Sequence, residues 1–199
     1  MKKALRIAVA DDERDVREYL QEALPRLGYE VAGVAETGRE LTEKVRATRP
    51  DLVIADIKMP DMDGIDASIQ ANRTHQVPVV LLSAHHDAEL LTRAAADHIM
   101  GYLVKPVKVA DLETAIVMAR LRFSQFLAVA AEAASLRQAL EDRKVIERAK
   151  GFIIKRLRVN EEEAFRRLRK FANDQNRKMV EAAQKIVEAE GVFRQLEKG

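Results

Sequence analysis

The chain has 199 residues, 47% of them hydrophobic, no cysteine, and a formal net charge of +2. Its length fits two domains, one of ordinary size and one small, and the missing cysteines exclude disulfides, thiolate nucleophiles and thiolate metal centres. The first apolar stretch, ALRIAVADD, reaches acid too soon for a signal peptide or a membrane span, so a soluble cytoplasmic protein with no membrane partner is expected. The small net charge hides an asymmetry. Residues 137–199 hold 17 Lys+Arg against 11 Asp+Glu, whereas the first 136 residues hold 17 against 21. An acidic front and a basic back point to different partners, although long solvated helices also carry many charges.

Five short runs rich in Val, Ile and Leu read as strands: 5–10, 29–35, 51–56, 77–83 and 101–104. Between the first two, Val16, Tyr19, Leu20, Ala23, Leu24 and Leu27 share one helical face, and Gly28 ends the helix. Similar intervals separate the other strands. Serial βα units predict an α/β fold, a doubly wound five-stranded parallel sheet with helices on both faces and right-handed crossovers. Such sheets bind ligands at the carboxyl ends of their strands. There the sequence puts Asp11, Asp12 and Glu13 after the first strand, Asp56 at the third, Ser83 at the fourth, and Lys105-Pro106 at the fifth. Converging carboxylates repel, and all-oxygen ligands with space for water favour Mg²⁺. A carboxylate nucleophile, an ammonium and a hydroxyl are the parts of a phosphoryl site that forms an acyl phosphate.

These residues carry a resemblance. Residues 1–122, with DD at 11–12, D at 56 followed by KMPDMDG, S at 83 and KP at 105–106, resemble the CheY-like receiver domain of two-component response regulators. The resemblance implies a flavodoxin-like fold in which Asp56 accepts a phosphoryl group from a sensor histidine kinase. It implies that Asp11, Asp12 and Asp56 hold Mg²⁺ and that Ser83 and Lys105 contact the phosphoryl group. Tyr102 takes the switch-aromatic position, and a cis bond is implied at Lys105–Pro106. One departure is ADHIMGYL (96–103), where the family usually has a small Gly-Ala pair; the local packing there is expected to differ. His75, His85, His86 and His98 are not spaced as a metal set; His85, two residues past Ser83, is a candidate modulator of phosphoryl lifetime.

From Ala110 to Leu157 there is one glycine and no proline. Leu112, Ile116, Ala119, Phe123 and Phe126, then Val129, Ala133, Leu136 and Leu140, recur at helical spacing. The last helix of the first domain should therefore run on through a coiled-coil linker at 123–142, with residues 112–140 spanning about 42 Å. A helix folded back on its own domain would show the same stripe. A homodimer formed on phosphorylation is the expectation.

Residues 143–199 carry three stripes of one form: Val145, Ile146, Ala149, Phe152 and Ile153; Ala164, Phe165, Leu168, Phe171 and Ala172; Met179, Val180, Ala183, Ile186 and Val187. They predict a three-helix all-α domain, with Asn160 and Glu163 as a capping box and NDQN (173–176) as a break. Apolar residues of RKVIERAKGFIIKRL (143–157) then belong to the core, and its basic residues should face outward. Residues 143–170 hold eleven Lys+Arg against four acids, a surface that attracts polyanions. Gly151 costs a helix about 1 kcal/mol relative to Ala, which suggests close approach by another backbone, a packed helix first and a ligand second.

Residues 137–190 resemble the ANTAR domain, an RNA-binding output module of antitermination regulators. AKG (149–151) and the Ala164-Phe165…Leu168 set are the most telling pieces. The family commonly has a Gly in the turn before the second helix, where this chain has Arg158. The resemblance implies a phosphorylation-gated dimer that binds paired RNA stem-loops and prevents a terminator from forming. Candidate RNA contacts are Arg143, Lys150, Lys155, Arg156, Arg169, Arg177 and Lys178. Phe152, Phe165 and Phe171 read as core, which argues against base stacking by aromatics. A DNA-binding or a purely protein-binding helical output are the alternatives. No catalytic constellation lies beyond residue 122, so an enzymatic output is not expected.

Overall fold

Side chains alternate along each strand and sort the apolar residues of the N-terminal unit onto two faces of one sheet. The computed structural model describes residues 4–84 and 98–196, apart from the side chains of 193 and 194. The strands are β1 (Arg6–Ala10), β2 (Glu30–Ala35), β3 (Leu52–Asp56), β4 (Val79–Ser83) and β5 (Ile99–Val104). All pair in parallel, in the order β2-β1-β3-β4-β5. The helices among the described residues are α1 (Arg14–Arg26), α2 (Gly38–Thr48), α3 (Gly64–Asn72), α4 (Val109–Leu157), α5 (Glu161–Asp174) and α6 (Met179–Leu196). The expected α/β fold is present, and the strand order reverses between β1 and β3, where a crevice forms at their carboxyl ends.

Ile7, Val9, Ile54, Val80 and Leu82 pack under Leu20 and Leu24 of α1 and under Leu112, Ile116, Ala119 and Phe123 of α4. The opposite face joins Ala8, Ala10, Val53, Ala55, Val79 and Leu81 to Leu41 and Val45 of α2 and Ile65 of α3. Gly28 ends the α1 segment at φ 83, as the sequence predicts. β5 begins two residues earlier than expected. Met100 of that extension is buried in the first cluster, so a large side chain fills the place where the resemblance has a small pair.

Helix α4 runs unbroken for 49 residues, as the lack of helix breakers predicts. The chain divides into two units at residue 128, within the expected linker. Phe123 and Phe126 belong to the first unit, with ring centroids 6.2 Å apart. Further along, Val129, Leu136 and Leu140 are exposed.

The second unit is the expected three-helix domain, built around Ala149, Ile153, Ala164, Leu168, Ala172, Ala182 and Ala183. Five alanines in that core let the helices approach closely. Asn160 caps α5 by accepting from the Glu163 amide at 2.9 Å. Arg158 takes the left-handed conformation, φ 53, so the turn keeps a glycine-like backbone without the glycine. The stripes are rotated from their expected positions. Ile154 packs on the core, whereas Phe165 and Phe171 lie at its edge, 39% and 37% exposed. Ala182, outside the third predicted stripe, is fully buried.

Candidate functional site

At the carboxyl ends of β1 and β3, Asp11 and Asp56 are both buried, and Asp12 stands beside them exposed. One oxygen from each of the three carboxylates lies within 4.8 Å of the others. Lys105, at the end of β5, reaches into this group. Its Nζ is 2.9 Å from Asp11 Oδ2, 2.8 Å from Glu13 Oε1 and 3.5 Å from Asp56 Oδ1. Ser83 ends β4 beside β5 and is buried; its carbonyl accepts from the Lys105 amide at 2.8 Å. The Lys105–Pro106 bond is cis.

Burial pushes the Asp56 carboxyl up to about 6, against the opposing pull of Lys105. Asp11 is raised for the same reason. Burial alone would lower the Lys105 ammonium, but hydrogen bonds to Glu13 and Asp11 outweigh it and push the group up to about 12. Lys105 in turn holds Glu13 below the usual carboxylate range. The pocket therefore has a permanent cation facing carboxylates that resist ionising together.

In the second unit, Arg143, Lys155, Arg156, Arg169, Arg177 and Lys178 are exposed, as expected. Lys150 is not. It is 8% exposed, and its Nζ donates to Glu147 at 2.9 Å and 3.0 Å and to Glu161 at 2.7 Å. The expectation that every basic residue of 143–157 faces outward fails here, because two carboxylates neutralise the ammonium at the core's edge. Gly151 also departs from expectation. A Cβ built there would meet nothing within 4 Å, so close helix packing does not explain the glycine.

Comparison with known proteins joins the two halves. The family model for the response regulator receiver domain matches residues 7–117, and that for the ANTAR domain matches residues 134–187. The chain belongs to the response regulators, with a receiver domain followed by an ANTAR domain. The transcriptional regulatory protein PdtaR of Mycobacterium tuberculosis is 39% identical over 186 residues, which cover 94% of this chain and 91% of that one. The chemotaxis protein CheY of Thermotoga maritima is 34% identical over 102 residues, covering 51% of this chain and 85% of that one. Among solved structures, the receiver domain of a modulated diguanylate cyclase from Desulfovibrio desulfuricans G20 is 27% identical. It aligns with a TM-score of 0.58 over 62% of this chain and 98% of that one.

This response regulator is thus phosphorylation-controlled, with a histidine kinase as partner and an RNA-binding ANTAR output. Its acidic cluster is of the kind that binds Mg²⁺ in receivers. The residues fit that ion on local chemistry: all donors are carboxylate oxygens, one from each of three acids within 4.8 Å of the others, two of those acids buried. Tyr102 lies on β5, 45% exposed, beside a groove lined by Leu103, Val107 and Met118. His75 is half-buried, with Nε2 3.0 Å from the Pro50 carbonyl. His85, the candidate lifetime modulator, and His86 lie outside the described residues.

Two residues that shape the receiver pocket carry no role in the sequence reading. Glu13 is the exposed partner of Lys105. Arg17 is buried on α1 and donates to the carbonyls of Asp11 at 2.9 Å and Asp12 at 2.8 Å, pairing also with Glu36. It thereby fixes the loop that carries both acids. The one signal for Arg17 is a charged residue set inside the apolar stripe between Val16 and Leu20.

Proposed function

We propose that Asp56 is the phosphoacceptor and that its phosphorylation switches the chain to a dimer that binds RNA stem-loops to regulate transcription by antitermination. The observation that carries this is the buried Asp56 carboxylate, clustered with two further acids and 3.5 Å from an ammonium. An Asp56 oxygen attacks the phosphorus of a phosphohistidine. The P–O bond forms as the P–N bond breaks, and the imidazole leaves with its electron pair. Lys105 stabilises the phosphoryl oxygens, which requires it to exchange a carboxylate partner for the new group. Ser83 contacts the same oxygens, and Tyr102 responds to that contact. Asp11, Asp12 and Asp56 would hold Mg²⁺, which when bound supplies charge neutralisation to the transferring group. Arg17 keeps the loop of Asp11 and Asp12 in place. No catalytic output is proposed beyond the receiver.

Dimerisation is assigned to the face of α4 on which Val129, Leu136 and Leu140 continue the apolar stripe and are exposed. By length and composition α4 could also cross a membrane. Its fully buried Leu112 and Ile116 at one end and Ala149 at the other commit both ends to folded cores, which supports pairing and a cytoplasmic location. The exposed cations of the ANTAR domain supply phosphate contacts and salt-dependent affinity, and loop bases supply sequence.

The test is phosphoryl transfer from a small-molecule donor such as acetyl phosphate. The parent chain is labelled and Asp56→Asn is not; labelling of the variant at the parent rate rejects the assignment.

A further inference from the structure

Gly151 lies in the middle of a helical stretch, where it weakens the helix, and the fold supplies no compensation for it. An added methyl group would enter open space. The residues that share its helical face are those three, four and seven positions away. They include Arg148, Lys155 and Lys144, all exposed, together with Glu147, which is bonded to Lys150, and Ile154, which packs on the core. Lys144 is held by Glu141 at 2.6 Å. Arg148 and Lys155 are paired with no carboxylate among the described residues. The core face of the same helix is occupied by Ala149 and Ile153, so Gly151 points away from the fold.

We propose that Gly151 and the flanking Arg148 and Lys155 form a contact site for the sugar–phosphate backbone of RNA. The missing side chain leaves a dimple in which a phosphate and its ribose reach the helix surface between two cations. This site deepens the RNA-binding reading above and rests on it. A bare helix backbone admits a closer approach than any side chain would allow, and a cation on each side holds the polyanion in register. A second copy of this chain is the poorer occupant, since two such faces would set Arg148 and Lys155 against their like charges. Arg148 and Gly151 thus join the RNA surface, while Lys150, turned inward between them in sequence, leaves it.

Gly191 provides an internal control. It too is helical and meets nothing within 4 Å, but the positions three and four away from it are Val187, Glu188, Arg194 and Gln195, one cation where Gly151 has two. Full-length Gly151→Ala and Gly191→Ala are compared with the parent for melting temperature, for mass in solution, and for binding to a labelled hairpin RNA with an unpaired loop. Both variants should melt about 2–4 °C higher, because alanine favours the helix. Gly151→Ala should bind the hairpin about tenfold more weakly, a loss of about 1.4 kcal/mol, and Gly191→Ala should bind as the parent does. Arg148→Ala and Lys155→Ala should each lower the salt slope of binding by about one unit. Unchanged RNA affinity in Gly151→Ala overturns the site while leaving the RNA-binding reading intact. A changed mass of Gly151→Ala without RNA also overturns it, in favour of a second copy as occupant. A parent chain that binds no hairpin at all overturns the proposal together with the reading beneath it.

Discussion

Replacing Gly64 by alanine tests how tightly the backbone around the phosphoacceptor is built. A Cβ at this position would lie 1.9 Å from the Asp56 carbonyl oxygen and 3.0 Å from its carbon. Carbon and oxygen settle at about 3.3 Å, so the start of α3 and the end of β3 must separate by about 1.4 Å. The Gly64 amide donates to the Ile57 carbonyl at 2.9 Å, and that bond would stretch or break. Overpacking of this kind costs about 1–3 kcal/mol. The larger effect is on chemistry. Misplacing a reacting group by about 1 Å can cost on the order of 100-fold in rate, and the displaced segment carries Asp56 itself. Urea unfolding followed by circular dichroism should show the destabilisation. Labelling by acetyl phosphate should slow by about 100-fold while the variant remains folded in water. A Gly64→Ala chain phosphorylated within about twofold of the parent rate would refute the steric reasoning.

In metal-free protein burial pushes the Asp56 carboxyl up to about 6 from the ordinary aspartate value of 3.8, so the folded state loses stability as pH rises from about 4 through about 6. Asp56→Asn should therefore be more stable than the parent in EDTA at pH 7.5 by about 2–3 kcal/mol, with the gap closing at pH 4 and shrinking on addition of Mg²⁺; urea midpoints at the two pH values check this. Arg158→Gly should stabilise the ANTAR domain by about 0.5–1 kcal/mol, because φ 53 costs an L-residue and not a glycine; a lower melting temperature would contradict it. Lys150→Ala should lower the melting temperature of the ANTAR domain and leave the salt slope of RNA binding unchanged, since its ammonium is committed to Glu147 and Glu161; a slope reduced by about one unit would return Lys150 to the RNA surface.

The receiver was legible in the sequence because its chemistry lies at strand ends. Once the apolar runs are read as parallel strands, topology alone brings Asp11, Asp56, Ser83 and Lys105 to one edge, and the structure places them there. Lys150 was misread because its fate depends on Glu161, eleven residues away across a turn, which periodicity does not register. Gly151 was misread as a packing residue because a glycine inside a helix was taken to mark a close backbone, whereas it lies opposite the buried Ala149 and Ile153 and a Cβ there meets nothing within 4 Å. The close approach attributed to that glycine is supplied by the alanines of the three helices instead. Arg158 shows the reverse case, in which an unexpected residue keeps the expected backbone.

Coupling between the two domains is tested most directly by hairpin RNA affinity measured with and without beryllofluoride and Mg²⁺, for the parent chain and for Asp56→Asn. The parent should bind about tenfold or more tightly once beryllofluoride occupies the receiver, and the variant should not respond. Equal affinity of the parent in both conditions would contradict control of the RNA-binding domain by Asp56.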